Sequence, residues 1–220
     1  MGAFPQTIHF IGSNKPRRME VSVRDLDVEG EIPAEIDGAF FRAVPDNAHA
    51  PMFEDDIALN ADGMVARFDI RKDAVDYDIR YVETDRYKAE KEARRALFGQ
   101  YRNPFTDDPS VEGVDRTVAN TTPVWHAGRL FMTKEDGLGH EINPHTLETV
   151  GKWTYGGVLK SETFTAHPGS TTRRASCSSS ATRRAGCARP TSPIASPTSR
   201  ASSSPNNGSS SPISPRSTIS

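Results

Sequence analysis

Apolar and polar positions alternate through much of residues 21–155, and Gly, Pro, Asn or Asp interrupts the pattern roughly every eight to twelve positions, the spacing of short strands joined by turns. A period of two sends successive side chains to opposite faces of an extended chain, so each run predicts a half-buried strand. The clearest is V-D-Y-D-I-R-Y-V, residues 75–82, with Val, Tyr, Ile and Tyr at alternate positions. V-S-V-R-D-L-D-V from Val21 and A-F-F-R-A-V from Ala39 also read as strands, joined by the turn-rich connector E-I-P-A-E-I-D-G. Two prolines and an Asn mark 43–53 as loop. Residues 57–70 read as a hairpin: I-A-L-N, the turn A-D-G, then M-V-A-R-F-D-I.

The period then changes. Thr84 is placed to cap a helix over about 85–98, a segment rich in Ala, Glu, Lys and Arg, which Gly99 and Pro104 stop. T-V-A-N-T-T, R-L-F-M-T-K and L-E-T-V-G-K-W-T-Y follow as strands, with D-G-L-G-H-E-I-N-P as the turn before the last. Many short strands and one surface helix predict an all-β sandwich, barrel or propeller. No clean internal repeat is visible.

Charge divides the chain in two. The formal charge is -2, yet residues 170–220 hold seven Arg and no Lys, Asp or Glu, which leaves -9 on residues 1–169. So acidic a body disfavours nucleic acid or an anionic membrane as its partner. No stretch approaches the roughly 20 apolar residues that span a bilayer, and the N-terminus lacks the basic-then-apolar order of a signal peptide. Gln6 stands where a myristoylation motif wants Ser or Thr. A cytoplasmic protein is expected. Cys177 and Cys187, ten apart in the tail, support neither a zinc site nor a disulfide framework.

Several ordered motifs carry a resemblance: G-E-I-P-A-E-I-D-G-A-F-F-R, D-G-M-V, A-N-T, the run from L-F-M-T-K-E-D-G to N-P-H-T-L-E-T-V-G-K, and T-A-H-P. Over roughly residues 20–168 the chain resembles the carotenoid cleavage oxygenases, and R-A-L-F-G-Q-Y-R-N-P-F-T-D-D resembles the lignostilbene dioxygenases among them. Ala61 departs from the Gly that many members carry in N-A-D-G-M. The resemblance implies the N-terminal portion of a seven-bladed β-propeller with Fe(II) on its axis, held by four His and backed by Glu residues. It implies cleavage of the central alkene of a 4-hydroxystilbene or an apocarotenoid by O2 into two aldehydes.

By motif, the resemblance makes His167 of T-A-H-P an iron ligand and Glu135 of T-K-E-D a carboxylate that orients a ligand imidazole. It pairs Tyr101 with Lys134 as the grip on a substrate's phenol hydroxyl. A Lys ammonium beside a phenol of pKa about 10 favours the phenolate, which pushes electron density onto the alkene. Plainer readings stand beside these. A lone His in a β protein is usually a surface group, Tyr101 after a helix is a packing aromatic, and alternation along a strand sends Lys134 and Glu135 to opposite faces. His140 and His145 read as solvated, and Trp125, His126 and Trp153 as core or rim.

After Pro168 every acidic and aromatic residue disappears. A Ser/Arg/Pro segment over 169–220 cannot bury enough apolar surface to offset its chain entropy, and disorder is expected. Its basic residues are all Arg, as GC-rich codons read out of frame would give. Under permitted codon choices, the neighbouring frame of residues 170–194 can read I-D-N-K-T-G-E-L-L-F-F-G-Y-E-A-G-G-L-C-T-P-D-I-A-Y, and that of 217–220 can read F-H-D-F, as in the family. The second iron-binding His would then fall where Thr218 stands. Two other classes compete: a non-catalytic β domain that binds a phenolic small molecule, and a protein whose Arg/Ser tail binds RNA or a partner.

Overall fold

The computed structural model describes residues 2–171 and 176–178. Its elements are β1 (Val21–Val23), β2 (Gly38–Pro45), β3 (Gly63–Arg71), β4 (Ala74–Tyr81), α1 (Asp85–Ala93), β5 (Thr122–His126), β6 (Arg129–Thr133), β7 (His140–Ile142), β8 (Thr149–Lys152), β9 (Gly169–Thr171) and β10 (Ser176–Ser178). Two four-stranded antiparallel sheets carry the fold, ordered β1-β4-β3-β2 and β5-β6-β7-β8; β9 and β10 form a separate pair. The all-β expectation with one helix holds.

Alternation explains how the first sheet packs. On β3, Val65 points into a core shared with Leu130, Met132 and Ile142 of the second sheet, while its neighbours Met64 and Ala66 pack with Ile79, Tyr81 and the α1 residue Tyr87. Successive residues therefore serve two different cores, as a strand covered on both faces requires. On β4 the apolar face is the expected one. Its opposite face carries Asp76 and Asp78, both buried and both paired with arginines: Asp78 with Arg24 and Arg67 at 2.9 Å each, and Asp76 with Arg71.

Gly63 sets how closely β3 meets the segment that leads into β5. Its N–H donates to the Val118 carbonyl at 2.9 Å, and a Cβ at this position would lie 2.4 Å from the Ala119 carbonyl oxygen. No other residue allows this approach without backbone movement.

Several expected boundaries are corrected. Strand β1 stops at Val23, where an eight-residue strand was expected. Strand β2 runs through Pro45 into the expected loop, since β2 is an edge strand and Pro45 owes no N–H to a second neighbour. Residues 57–60 are not a hairpin arm: Ala58–Asn60 form a 3-10 turn, because the Leu59 and Ala61 carbonyls and the Asn60 amide bond to groups outside any sheet. Strand β3 pairs with β2 and β4 instead. T-V-A-N-T-T becomes a strand only from Thr122, and the expected turn over 136–144 contains β7.

Helix α1 begins as expected, with the Thr84 hydroxyl accepting the Tyr87 N–H at 3.1 Å. It ends five residues earlier than the composition suggests. Arg94 turns left-handed (φ 55°), and the N–H groups of Leu97 and Phe98 go to the Glu90 carboxylate at 2.9 and 3.1 Å rather than to helical carbonyls. Of the Ser/Arg/Pro tail, residues 169–171 and 176–178 take part in the β9–β10 pair; the remaining expectation of disorder lies outside the described residues.

Candidate functional site

Tyr101 stands in the loop after α1, where several bonds fix the backbone. The Gly99 N–H donates to Asp107 Oδ1 at 2.8 Å and the Gln100 N–H to Thr106 Oγ1 at 2.9 Å, while Arg116 donates to the Gln100 carbonyl at 3.1 Å. A Cβ on Gly99 would overlap the Thr106 side chain. Thr106 can thus reach back only across a glycine.

Strand β6 ends at Thr133, so Lys134 and Glu135 escape the alternation that would separate them. Both reach Tyr101. Its hydroxyl donates to Glu135 Oε1 at 2.6 Å, and the Lys134 ammonium lies 5.3 Å from its ring centroid. Lys134 is 2% exposed, and its Nζ donates to Asn120 Oδ1 at 2.9 Å and to the Leu59 carbonyl at 3.3 Å. Arg102 adds a longer contact to Glu135 Oε1 at 3.4 Å. Of the plainer readings, opposite faces for Lys134 and Glu135 is the one this geometry removes.

The charges follow from burial and these bonds. Burial pushes the Tyr101 hydroxyl up to about 12, helped by its bond to the Glu135 carboxylate and by that group's charge. Burial also lowers Lys134, against the pull of Glu135 and Asp136. At Glu135 burial acts upward, but the Tyr101 hydroxyl and the charges of Lys134 and Arg102 outweigh it and leave the carboxyl below its ordinary value. The resting arrangement is therefore a neutral phenol donating to an ionised carboxylate beside an ammonium. The Tyr101 proton is committed to Glu135, so toward a ligand its oxygen can act only as an acceptor.

His167 is exposed, and its hydrogen bonds go to Thr122 and Thr165 rather than to this cluster. Its Nδ1 is 3.3 Å from the Thr122 hydroxyl, and the Thr133 hydroxyl donates to the neighbouring Ala166 carbonyl at 3.1 Å, which pins the T-A-H-P segment to the ends of β5 and β6. Glu135 is bonded to Tyr101 and Arg102 rather than to an imidazole. Among the described residues no three His, Cys, Asp or Glu side chains gather as a metal ion requires. The described residues thus do not by themselves make an iron site.

His140, read as solvated, is 2% exposed: it sits on β7, where burial depresses it to about 4. Asp115 and Asp85 pull it upward, while Lys152, its cross-strand partner, whose ammonium bridges these two carboxylates at 2.8 and 2.6 Å, adds to the lowering. His145 is exposed as expected, Trp125 lies on the rim, and half-buried Trp153 is covered by Arg129 at 4.3 Å.

Sequence reasoning missed Asn120. It lies in the A-N-T motif, but its partners come from positions 59, 61 and 134, and only folding brings these together.

A family profile described as Retinal pigment epithelial membrane protein (RPE65) matches residues 14–184. The chain is 50% identical over 165 residues to Resveratrol cleavage oxygenase 1 of Chaetomium globosum, covering 75% of this chain and 28% of that protein. It is 49% identical over 158 residues to the Isoeugenol monooxygenase of Pseudomonas putida, covering 71% and 33%. The crystal structure of Pseudomonas brassicacearum lignostilbene dioxygenase superposes with a TM-score of 0.74 at 45% identity, covering 76% of this chain and 35% of that one. The chain spans about a third of the length of the relatives it matches. No helix among the described residues is long and apolar enough to cross a membrane.

Proposed function

The chain belongs to the RPE65, or carotenoid cleavage oxygenase, family, and from that membership we propose that it is the N-terminal part of a cytoplasmic dioxygenase that cleaves the alkene of 4-hydroxystilbenes. In this reading the two four-stranded sheets are blades of the family's propeller. O2 adds across the central double bond, and the products are two aldehydes that together hold both oxygen atoms. Fe(II) belongs to the reading through the family, with His167 as the one ligand supplied from the described residues.

The observation that carries the substrate class is the pairing of Tyr101 with Lys134. Tyr101 offers an acceptor and Lys134 a charged donor, so a group that both donates and accepts satisfies the pair. A phenol hydroxyl is such a group. Resveratrol, lignostilbene and isoeugenol, named in three relatives, are phenols with a conjugated alkene. In the proposed complex the Lys134 ammonium stabilises negative charge on the phenol oxygen, which conjugation passes to the alkene carbons. Apocarotenoids have no phenol and leave the pair unused, which ranks them second.

For the tail we propose that residues 169–220 translate the neighbouring frame of the same gene. The coding DNA across residues 169–194 tests this: it must encode G-E-L-L-F-F-G-Y in the adjacent frame. With the frame restored, iron-loaded protein and O2 should convert 4-hydroxystilbene into 4-hydroxybenzaldehyde and benzaldehyde. Intact stilbene recovered from folded, iron-replete protein would leave a non-catalytic phenol-binding domain instead.

A further inference from the structure

A lysine ammonium swings on four rotatable bonds and carries three equivalent protons, so it recognises a ligand atom only when something fixes where those protons point. Lys134 has two fixed acceptors, Asn120 Oδ1 at 2.9 Å and the Leu59 carbonyl at 3.3 Å. The orientation of the Asn120 amide is set in turn. Its Nδ2 donates to the Leu59 carbonyl at 3.1 Å and to the Ala61 carbonyl at 2.8 Å, so a flipped amide would put donors against Lys134 and an oxygen against two carbonyls. The Thr121 hydroxyl adds a donor to Asn120 Oδ1 at 3.2 Å. Asn120 is 4% exposed, and its backbone follows Ala119, against which Gly63 packs. Every polar atom of this buried amide is therefore engaged, and the same carbonyl of Leu59 receives both Asn120 and Lys134.

Resting on the phenol reading above, we propose that Asn120 is the positioning residue that makes Lys134 selective: it and Leu59 occupy two of the three ammonium protons and leave one for a ligand oxygen beside Tyr101. Asn120 touches no substrate in this arrangement. It acts through Lys134, and its neutrality matters as much as its geometry. A carboxylate in its place would neutralise the ammonium that the phenol oxygen is meant to meet. The charged groups that already act on Lys134 are Glu135 and Asp136, which favour its ammonium, and Arg102 and Arg86, which oppose it; burial outweighs the net pull.

Binding of trans-4-hydroxystilbene and of its methyl ether, 4-methoxystilbene, to the whole chain as a function of pH tests this. Wild type should bind the phenol at least tenfold more tightly than the ether. Asn120→Ala should lose most of that ratio by weakening the phenol alone, with the ether within about twofold. Asn120→Asp keeps an acceptor for Lys134 and should raise the pH at which Lys134 loses its proton by about one unit or more, moving the alkaline limb of phenol binding upward. A role confined to stability predicts equal losses for phenol and ether in both variants, an unmoved alkaline limb, and a lower melting temperature. Either that pattern or an unchanged ratio in folded Asn120→Ala overturns the proposal. If Asn120→Ala does not fold, an unmoved limb in Asn120→Asp overturns it alone. A wild-type ratio near one would reject the phenol reading itself, and this inference with it, whereas a high wild-type ratio with insensitive variants rejects only the inference.

Discussion

The Tyr101 hydroxyl donates to Glu135 at 2.6 Å, and this bond determines what the aromatic can offer a ligand. A tyrosine that has given its proton away is an acceptor. Burial and the Glu135 carboxylate hold its hydroxyl up at about 12. Tyr101 should accordingly resist ionisation where an exposed tyrosine, near 10, is half ionised. Absorbance titration near 295 nm, wild type minus Tyr101→Phe, should show one tyrosine titrating well above pH 10. Glu135→Gln removes the charge that opposes the phenolate and should bring this midpoint down. An unchanged midpoint would mean that burial alone sets it.

Acid stability should reveal His140. Its folded pKa is about 4 against an ordinary 6.5, so between these values the unfolded chain binds the extra proton. Stability from this group is present above pH 6.5 and is lost as pH falls towards 4, by about 3 kcal/mol at most, at 1.36 kcal/mol per pH unit. Asp62 acts the other way. Fully buried, it is raised to about 6, so the folded chain binds the extra proton from about 4 to 6, and stability falls as pH rises across that range. The two offset each other. Urea unfolding at pH 4.5 and 6.5 should show a small difference in wild type and a marked gain at the higher pH in Asp62→Asn. In His140→Leu the gain should reverse.

Gly63→Ala places a methyl 2.4 Å from the Ala119 carbonyl oxygen and must push residues 118–120 away from β3. Urea unfolding should register a loss of about 2 kcal/mol or more, the usual scale of overpacking in a closed core. Because Asn120 moves with that segment, the variant's preference for phenol over ether should fall as well. Full retention of both would show that residues 118–120 can move away from β3 without cost.

These sites differ in how far the residue order exposes them. Tyr101, Lys134 and Glu135 were singled out through motifs that resemble the family's, and what the fold adds is that the three side chains meet. Strand β4 was legible because four apolar residues alternate without a break. The end of α1 was not, since a side chain, Glu90, captures the N–H groups that composition alone would assign to helix. His140 was misjudged because its surroundings come from Asp85, Asp115 and Lys152, on three separate segments. Asn120 stands out in the sequence only as part of a motif. Its bonds reach carbonyls 61 and 59 positions away that no local pattern announces.

Metal content separates the chain from the enzyme proposed for its gene. Among the described residues no ligand set gathers, and a single His holds a first-row metal weakly. Purified under reducing conditions with Fe(II) and then desalted, the 220-residue chain should retain far less than one iron per molecule. One tightly held iron per chain would contradict this and would require ligands beyond His167.

The phenol grip proposed for Tyr101 and Lys134 is tested most directly by affinity in Lys134→Met, measured with trans-4-hydroxystilbene and 4-methoxystilbene side by side. A hydrogen bond to a charged donor contributes about 1.5–3 kcal/mol, so the variant should lose roughly 10- to 150-fold on the phenol and no more than a few-fold on the ether. Equal losses on both ligands would remove Lys134 from phenol recognition and contradict the account.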